Sequence, residues 1–339
     1  MGRVVDAFGQ PLGGSAIHHT VRVPVRAPPP PSLSRQPILE PLGTGVRALD
    51  ALLPLGLGQR VGLFAGTGVG KSTLLGMLCR HASADVIVVG LIGERGREVG
   101  DFVRNALGPE GLARSVVVAA TSDEPPLVRA RGALYATALA EHFRAQGKRV
   151  LLLMDSVTRY AMALREATLA AGEPPLTKGY TPTVFASLPS LLERAGTCAG
   201  EGSITAVYTV LVEADDLNDP IADAVRGILD GHIVLSRKMA DRGLFPAIDV
   251  LRSVSRLAQD ICTPQHLADA AKVRGLLAAY EDAADLIQIG AYVTGSDARV
   301  DQARAALPRI ESLVRQRLDE GVGRTDALGV LRTIAEFAR

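Results

Sequence analysis

The residues best suited to chemistry form one contiguous run, Ala65-Gly66-Thr67-Gly68-Val69-Gly70-Lys71-Ser72-Thr73, between an apolar stretch and a helix-forming one. Apart from Ala65 at the first glycine position, the run follows the pattern G-x-x-x-x-G-K-[ST]. Glycines there let successive backbone N–H groups turn inward around phosphate oxygens, and a helix N-terminus adds a favourable dipole. In that chemistry Gly66, Thr67, Gly68, Val69, Gly70 and Thr73 cradle the phosphates of ATP. Lys71 reaches the β- and γ-phosphates, and the Ser72 hydroxyl ligates Mg²⁺. Ala65 weakens the pattern more than the physics, because Gly66, Gly68 and Gly70 remain.

A second group follows in Arg149-Val-Leu-Leu-Leu-Met154-Asp155, an apolar strand that ends in a carboxylate. Alone, such an aspartate is as readily a helix cap. Behind a phosphate loop, Asp155 is the expected partner for Mg²⁺, held through water.

These residues need a scaffold, and the hydrophobic pattern supplies one. Strands are predicted at Gln59–Phe64, Asp85–Leu91, Ser115–Ala120, Arg149–Met154, Ile204–Leu211 and His232–Leu235. Helices are predicted at Gly70–His81, about Arg97–Leu107, about Pro125–Gln146, and from an N-cap at Ser156 to near Gly172. Strands alternating with helices argue for an α/β fold: a mostly parallel sheet flanked by helices, of the P-loop NTPase (RecA-like) kind. After about Gln265 helical periodicity takes over, with breaks expected at Gly295, Pro308 and Gly321–Gly323, giving a smaller all-helical C-terminal domain. Residues 1–40 are turn-rich and carry Ala27-Pro28-Pro29-Pro30-Pro31, a stiff extended stretch. The expected division is therefore 1–40 as a remnant and linker, 41–262 as the ATPase domain, and 263–339 as the helical domain.

The chain has 339 residues, of which 47% are hydrophobic and 4% aromatic, with no Trp, so the core must be built from aliphatic side chains. A formal net charge of +1 gives no footprint for bulk nucleic-acid binding. The three cysteines are far apart, and the six histidines lack ligand spacing, which argues against disulfides or zinc and fits a reducing cytoplasm. The longest apolar runs are far shorter than the roughly 20 residues of a spanning helix.

Four further stretches point to one family. They are Ile92-Gly-Glu94-Arg95-Gly-Arg97-Glu98-Val99, Leu191-Leu-Glu-Arg-Ala-Gly196, Val210-Leu-Val-Glu-Ala-Asp215-Asp216 and the long segment Pro220–Arg237. With the phosphate loop they resemble the type III secretion and flagellar export ATPases, relatives of the rotary ATP synthase catalytic subunit. The resemblance runs over nearly the whole chain. It implies that Glu94 polarises the attacking water, and that Arg95 and Arg159 lie near the γ-phosphate and the phosphate product. Phe245 matches the aromatic residue that stacks on adenine, the alternative being an ordinary core phenylalanine. Arg256, in Arg252-Ser-Val-Ser-Arg256, matches an arginine finger supplied by a neighbouring subunit.

A finger in trans implies a homohexameric ring with active sites at subunit boundaries. The resemblance also implies a cytoplasmic motor, peripheral at the inner-membrane export apparatus, that releases chaperones from cargo and unfolds it. Its partners would be a stalk protein, a dimeric regulatory protein, chaperone–cargo complexes and an export gate at the membrane, with no nucleic acid. The family carries an N-terminal β-barrel, of which Met1–Gly13 resembles only the exit, so weakened assembly of a shortened chain is expected. Flagellar and injectisome motors remain undivided at this point. Three other readings share the phosphate chemistry: a rotary synthase subunit, a ring helicase and a non-catalytic nucleotide-binding subunit. The segment 220–237, the near-neutral charge and Glu94 count against them in turn.

Overall fold

The computed structural model describes every residue except 15–16, 18–20, 213–218 and 338–339. The acidic residues Glu213–Asp216 quoted above therefore lie outside the described residues. In chain order the strands are β1 (Arg3–Val5), β2 (Pro41–Leu42), β3 (Leu55–Gly56), β4 (Arg60–Ala65), β5 (Val86–Ile92) and β6 (Ser115–Ala120). They continue as β7 (Arg149–Asp155), β8 (Gly196–Thr197), β9 (Ser203–Leu211), β10 (Gly231–Leu235) and β11 (Ile248–Ser255). Strands β2 and β3 make a small antiparallel pair, and the other nine form one sheet in the order β1-β6-β5-β7-β9-β4-β10-β11, with β8 beside β9. Every pairing in the large sheet is parallel except β8 with β9 and β10 with β11.

The central strands are buried on both faces. All seven residues of β5 (Val-Ile-Val-Val-Gly-Leu-Ile) are buried, as are all of β7 after Arg149. Such continuous, β-branched-rich runs are what a parallel sheet covered by helices requires. The helices are α1 (Arg47–Leu52), α2 (Lys71–His81), α3 (Gly96–Asp101), α4 (Gly108–Ala113), α5 (Pro126–Ala145) and α6 (Val157–Ala170). Then come α7 (Pro182–Leu192), α8 (Pro220–Ile228), α9 (Arg237–Asp241), α10 (Ala258–Ile261), α11 (Pro264–Gln288), α12 (Ala298–Val314) and α13 (Arg324–Phe337). One face of the sheet packs on α5–α8 through residues such as Ala133, Ala136, Ala161, Leu188 and Val225. The opposite face shares a core with α1, α2 and the C-terminal helices, through Leu49, Leu74, Leu276, Ile310, Leu313 and Leu331. The fold is thus an α/β sheet covered on both faces, with a C-terminal helical region joined to one of them.

Element types follow the sequence expectations closely, with instructive exceptions. The helix expected over about Arg97–Leu107 is α3 followed by a π-helical stretch, Phe102–Leu107. Pro308 does not break the chain; it lies inside α12. Pro308 and Arg304, whose carbonyl loses its helical donor to the ring, are both exposed, a position where a missing helix hydrogen bond costs least. Arg3–Val5 joins the sheet edge parallel to β6, a placement that the turn-rich composition of 1–40 does not announce. Ser156 caps α6 as expected, accepting from the Arg159 N–H at 3.2 Å, and Gly172 follows its end at φ +85°.

Candidate functional site

Strand order decides where the chemistry converges. β4, β5 and β7 run parallel, so Ala65, Ile92 and Asp155 end on the same edge of the sheet, and the loops that follow carry the phosphate run, Glu94 and Ser156. After β4 the chain turns through Gly68 and Gly70, both at positive φ, into α2. No side chain caps α2, and its first turn holds no acidic residue, so the N–H groups of Lys71, Ser72 and Thr73 open a helix with no acidic residue of its own at that end. Val69 is buried under the loop, while Thr67, Gly68 and Ser72 are exposed.

Lys71 binds two carboxylates. Its Nζ lies 2.5 Å from Asp155 Oδ1 and 3.4 Å from Glu94 Oε1, with all three side chains largely buried. Burial opposes the Lys71 charge, but Asp155 and Glu94 outweigh it and raise the ammonium's pKa above its ordinary value. Asp155, 3% exposed, also accepts from the Thr209 hydroxyl at 2.7 Å. Glu94 is pushed up to about 7, first by burial and then by the Asp155 charge, while Lys71 pulls the other way. The site therefore holds one carboxylate in close contact with the Lys71 ammonium and another, Glu94, poised to exchange a proton near neutrality.

Arg159, one turn into α6, packs along Gly93, the residue before Glu94. A Cβ on Gly93 would fall 2.9 Å from Arg159 Cβ, and the φ of +71° there also favours glycine. The Arg159 Nε is buried and unpartnered among the described residues, an orphaned donor at the edge that a phosphate would reach. Phe245 stands on the other side of the loop, 37% exposed, its Cδ1 3.2 Å from where a Gly70 Cβ would be.

Two expected residues are placed elsewhere. Arg95 precedes α3 and turns outward, 78% exposed, pairing with Glu98 at 3.3 Å. Arg256 is at the far end of the sheet. β11 runs antiparallel to β10, pairing Ser255 with Gly231, so Arg256 emerges beside the start of β4. Its guanidinium donates to the carbonyls of Leu229 at 3.1 Å and Arg226 at 3.3 Å. The six residues of β4 separate it from the phosphate loop by roughly 20 Å at the usual strand rise.

Two residues without an assigned role belong here. Thr209 reaches Asp155 only because β9 lies beside β7, which nothing local in the sequence marks. Arg237 donates from Nη2 to the Thr67 carbonyl at 3.0 Å, bracing the loop from α9. Its signal was its place at the end of the long segment 220–237.

Comparison with known proteins identifies the scaffold. The family described as "ATP synthase alpha/beta family, nucleotide-binding domain" matches residues 45–255. The chain belongs to this family. The "T3SS EscN ATPase C-terminal domain" matches residues 262–333, which places the family member with the type III secretion and flagellar export ATPases. The flagellum-specific ATP synthase of Salmonella typhimurium is 55% identical over 336 residues, covering 98% of this chain and 74% of its own length. The type 3 secretion system ATPase of Xanthomonas euvesicatoria is 51% identical over 340 residues, covering 100% and 76%. The assembled ATPase EscN from the enteropathogenic E. coli type III secretion system superposes with a TM-score of 0.94 at 48% identity, covering 98% of this chain and 81% of that one. EscN in complex with its central stalk EscO superposes with a TM-score of 0.91 at 47% identity, covering 98% and 81%. As a member of this family, the chain is a nucleotide-binding ATPase, and none of its described helices is long and apolar enough to cross a membrane.

Proposed function

We propose that the chain is the motor ATPase of a type III export apparatus, hydrolysing ATP at sites completed by a neighbouring copy. The observation that carries this reading is the division of the site's charges: Lys71, Glu94 and Asp155 converge at one sheet edge, while Arg256 sits at the opposite end. Arg256 then serves the phosphates of an adjacent subunit in a ring, expected to be a homohexamer. Within one chain, the α2 N-terminus and Lys71 bind the phosphates, Glu94 orients and deprotonates the attacking water, and Arg159 steadies the phosphate product. The Phe245 ring stacks on the base. Arg95, turned to solvent, contacts phosphate only if α3 moves.

The donor set also fits Mg²⁺. Ser72 offers a hydroxyl and Asp155 a buried carboxylate, hard oxygen ligands at the mouth of the phosphate loop. No cluster of three or more His, Cys, Asp or Glu exists among the described residues to make an all-protein cage, and Mg²⁺ is typically held by few protein oxygens plus phosphate and water. Held by Ser72 and Asp155, such an ion would supply positive charge against the phosphates. We take residues 41–262 as the catalytic unit and 263–339 as the helical unit that meets a central stalk protein. A dimeric regulator, chaperone–cargo complexes and a membrane export gate are the further partners, with cargo unfolding the work done at a cytoplasmic site beside the membrane.

The experiment is Mg²⁺-ATP turnover per subunit across a wide range of protein concentration. Turnover that climbs with concentration supports shared sites; turnover independent of concentration overturns them. Two smaller effects are expected in the same assay. Because Glu94 works ionised and titrates near 7, kcat/KM should rise from pH 6 to pH 8 with an acid limb near neutrality, and a limb near the ordinary glutamate range would contradict its assignment. Arg237→Ala, which frees the Thr67 carbonyl, should raise KM for ATP roughly 2–10-fold with kcat little changed, since one exposed charge-assisted hydrogen bond is lost.

A further inference from the structure

Gln316 follows α12 in the C-terminal helical region, yet it is only 4% exposed. A buried primary amide must place both donors and its acceptor, and Gln316 does so between the 45–47 segment and Glu320 of its own segment. Its Nε2 donates to the carbonyls of Gly45 at 2.7 Å and Glu320 at 2.5 Å. Its Oε1 accepts from the backbone N–H of Arg47 at 2.8 Å, at the opening of α1. Its own backbone N–H donates to the Phe245 carbonyl at 2.9 Å. One side chain thus locks the C-terminal region onto α1, while its main chain grips the residue whose ring rests against Gly70.

Neighbouring contacts strengthen the same joint. Arg47 donates from Nε to the Leu313 carbonyl at 3.1 Å and pairs with Glu320 at 2.5 Å. Arg242, in the same β10–β11 connection as Phe245, pairs with Glu311 of α12 at 2.9 Å. The connection carrying Phe245 is therefore held from the C-terminal helices as well as from the strands it joins.

We propose that Gln316 is a positioning residue for base recognition: its buried amide fixes the segment that holds Phe245 over the phosphate loop, so that nucleotide-base affinity depends on the C-terminal helical region. The inference rests on the reading of Phe245 as the base-stacking residue. It predicts a selective defect. A ligand with a base should lose affinity when the joint is broken, whereas inorganic triphosphate, which has no base to stack on Phe245, should not.

The test is calorimetric binding of a non-hydrolysable ATP analogue and of inorganic triphosphate, each with Mg²⁺, to the full chain and to Phe245→Leu, Gln316→Met and the double variant. Methionine keeps the length of glutamine without its hydrogen bonds. Each single variant should weaken the analogue roughly tenfold and leave triphosphate unchanged. The double variant should lose no more than Phe245→Leu alone, because both act through one ring. Equal losses for both ligands in Gln316→Met, or losses that multiply in the double variant, would overturn the positioning role. No loss in Phe245→Leu would instead sink the stacking reading and the inference with it. A loss in Phe245→Leu with none in Gln316→Met would overturn the inference alone. Should Gln316→Met fail to fold, Gln316→Asn is read by the same criterion: a loss confined to the base-bearing ligand supports the role, and its absence overturns it.

Discussion

Arg256→Ala is expected to lower kcat by about 10³–10⁵ at protein concentrations where copies assemble, while ATP binding to the isolated chain stays nearly unchanged. The split follows from topology. Arg256 leaves β11 at the end of the sheet where β4 begins, and the phosphate loop leaves β4 at the other end. Among the described residues its guanidinium rests on two carbonyls, those of Leu229 and Arg226, and on no carboxylate. Those are weak anchors for a permanent charge and leave the positive field available to an adjacent molecule. Lysine at this position would keep the charge but not the planar fork, so Arg256→Lys should recover only part of the rate. The check is steady-state hydrolysis alongside nucleotide affinity. A large loss of affinity in Arg256→Ala would mean that the residue supports its own chain's site.

The second large effect is at Glu94. Glu94→Gln preserves shape and a hydrogen-bonding end but removes the base, and hydrolysis should fall by about 10²–10⁴ while ATP still binds. The contact with Lys71 is long, at 3.4 Å, whereas that of Asp155 is 2.5 Å. Losing the Glu94 charge therefore leaves Lys71 with its nearer partner, and the loop should keep its shape. Single-turnover measurements separate the outcomes: an unchanged binding step with a slow chemical step supports the role, and unimpaired hydrolysis would remove Glu94 from the chemistry.

Local features of the site were legible in the chain because they are contiguous and repeat a physical logic. Glycines with a lysine between a strand and a helix, and an apolar strand ending in Asp155, each need only a few neighbours to be read. What stayed hidden depends on contacts distant in sequence. Thr209 is one more residue of a buried strand until β9 is set beside β7. Nothing local in the sequence singles out Gln316; its contacts come from Gly45, Arg47 and Phe245, all distant in the chain. Arg95 shows the converse: the family resemblance implies a place near the γ-phosphate, whereas in this structure α3 begins at Gly96 and the side chain pairs with Glu98. Pro308 shows that a helix-breaking residue is decided by exposure, which periodicity alone does not reveal.

The central claim, that each site is built from two copies, is tested most directly by mixing Glu94→Gln with Arg256→Ala, each inactive alone. Where an Arg256→Ala copy presents its intact Glu94 to the intact Arg256 of a Glu94→Gln copy, one complete site is restored. The account predicts that the mixture regains a measurable fraction of native turnover, rising with total protein concentration. A mixture as inactive as its parts, under conditions where the copies demonstrably assemble together, would contradict it.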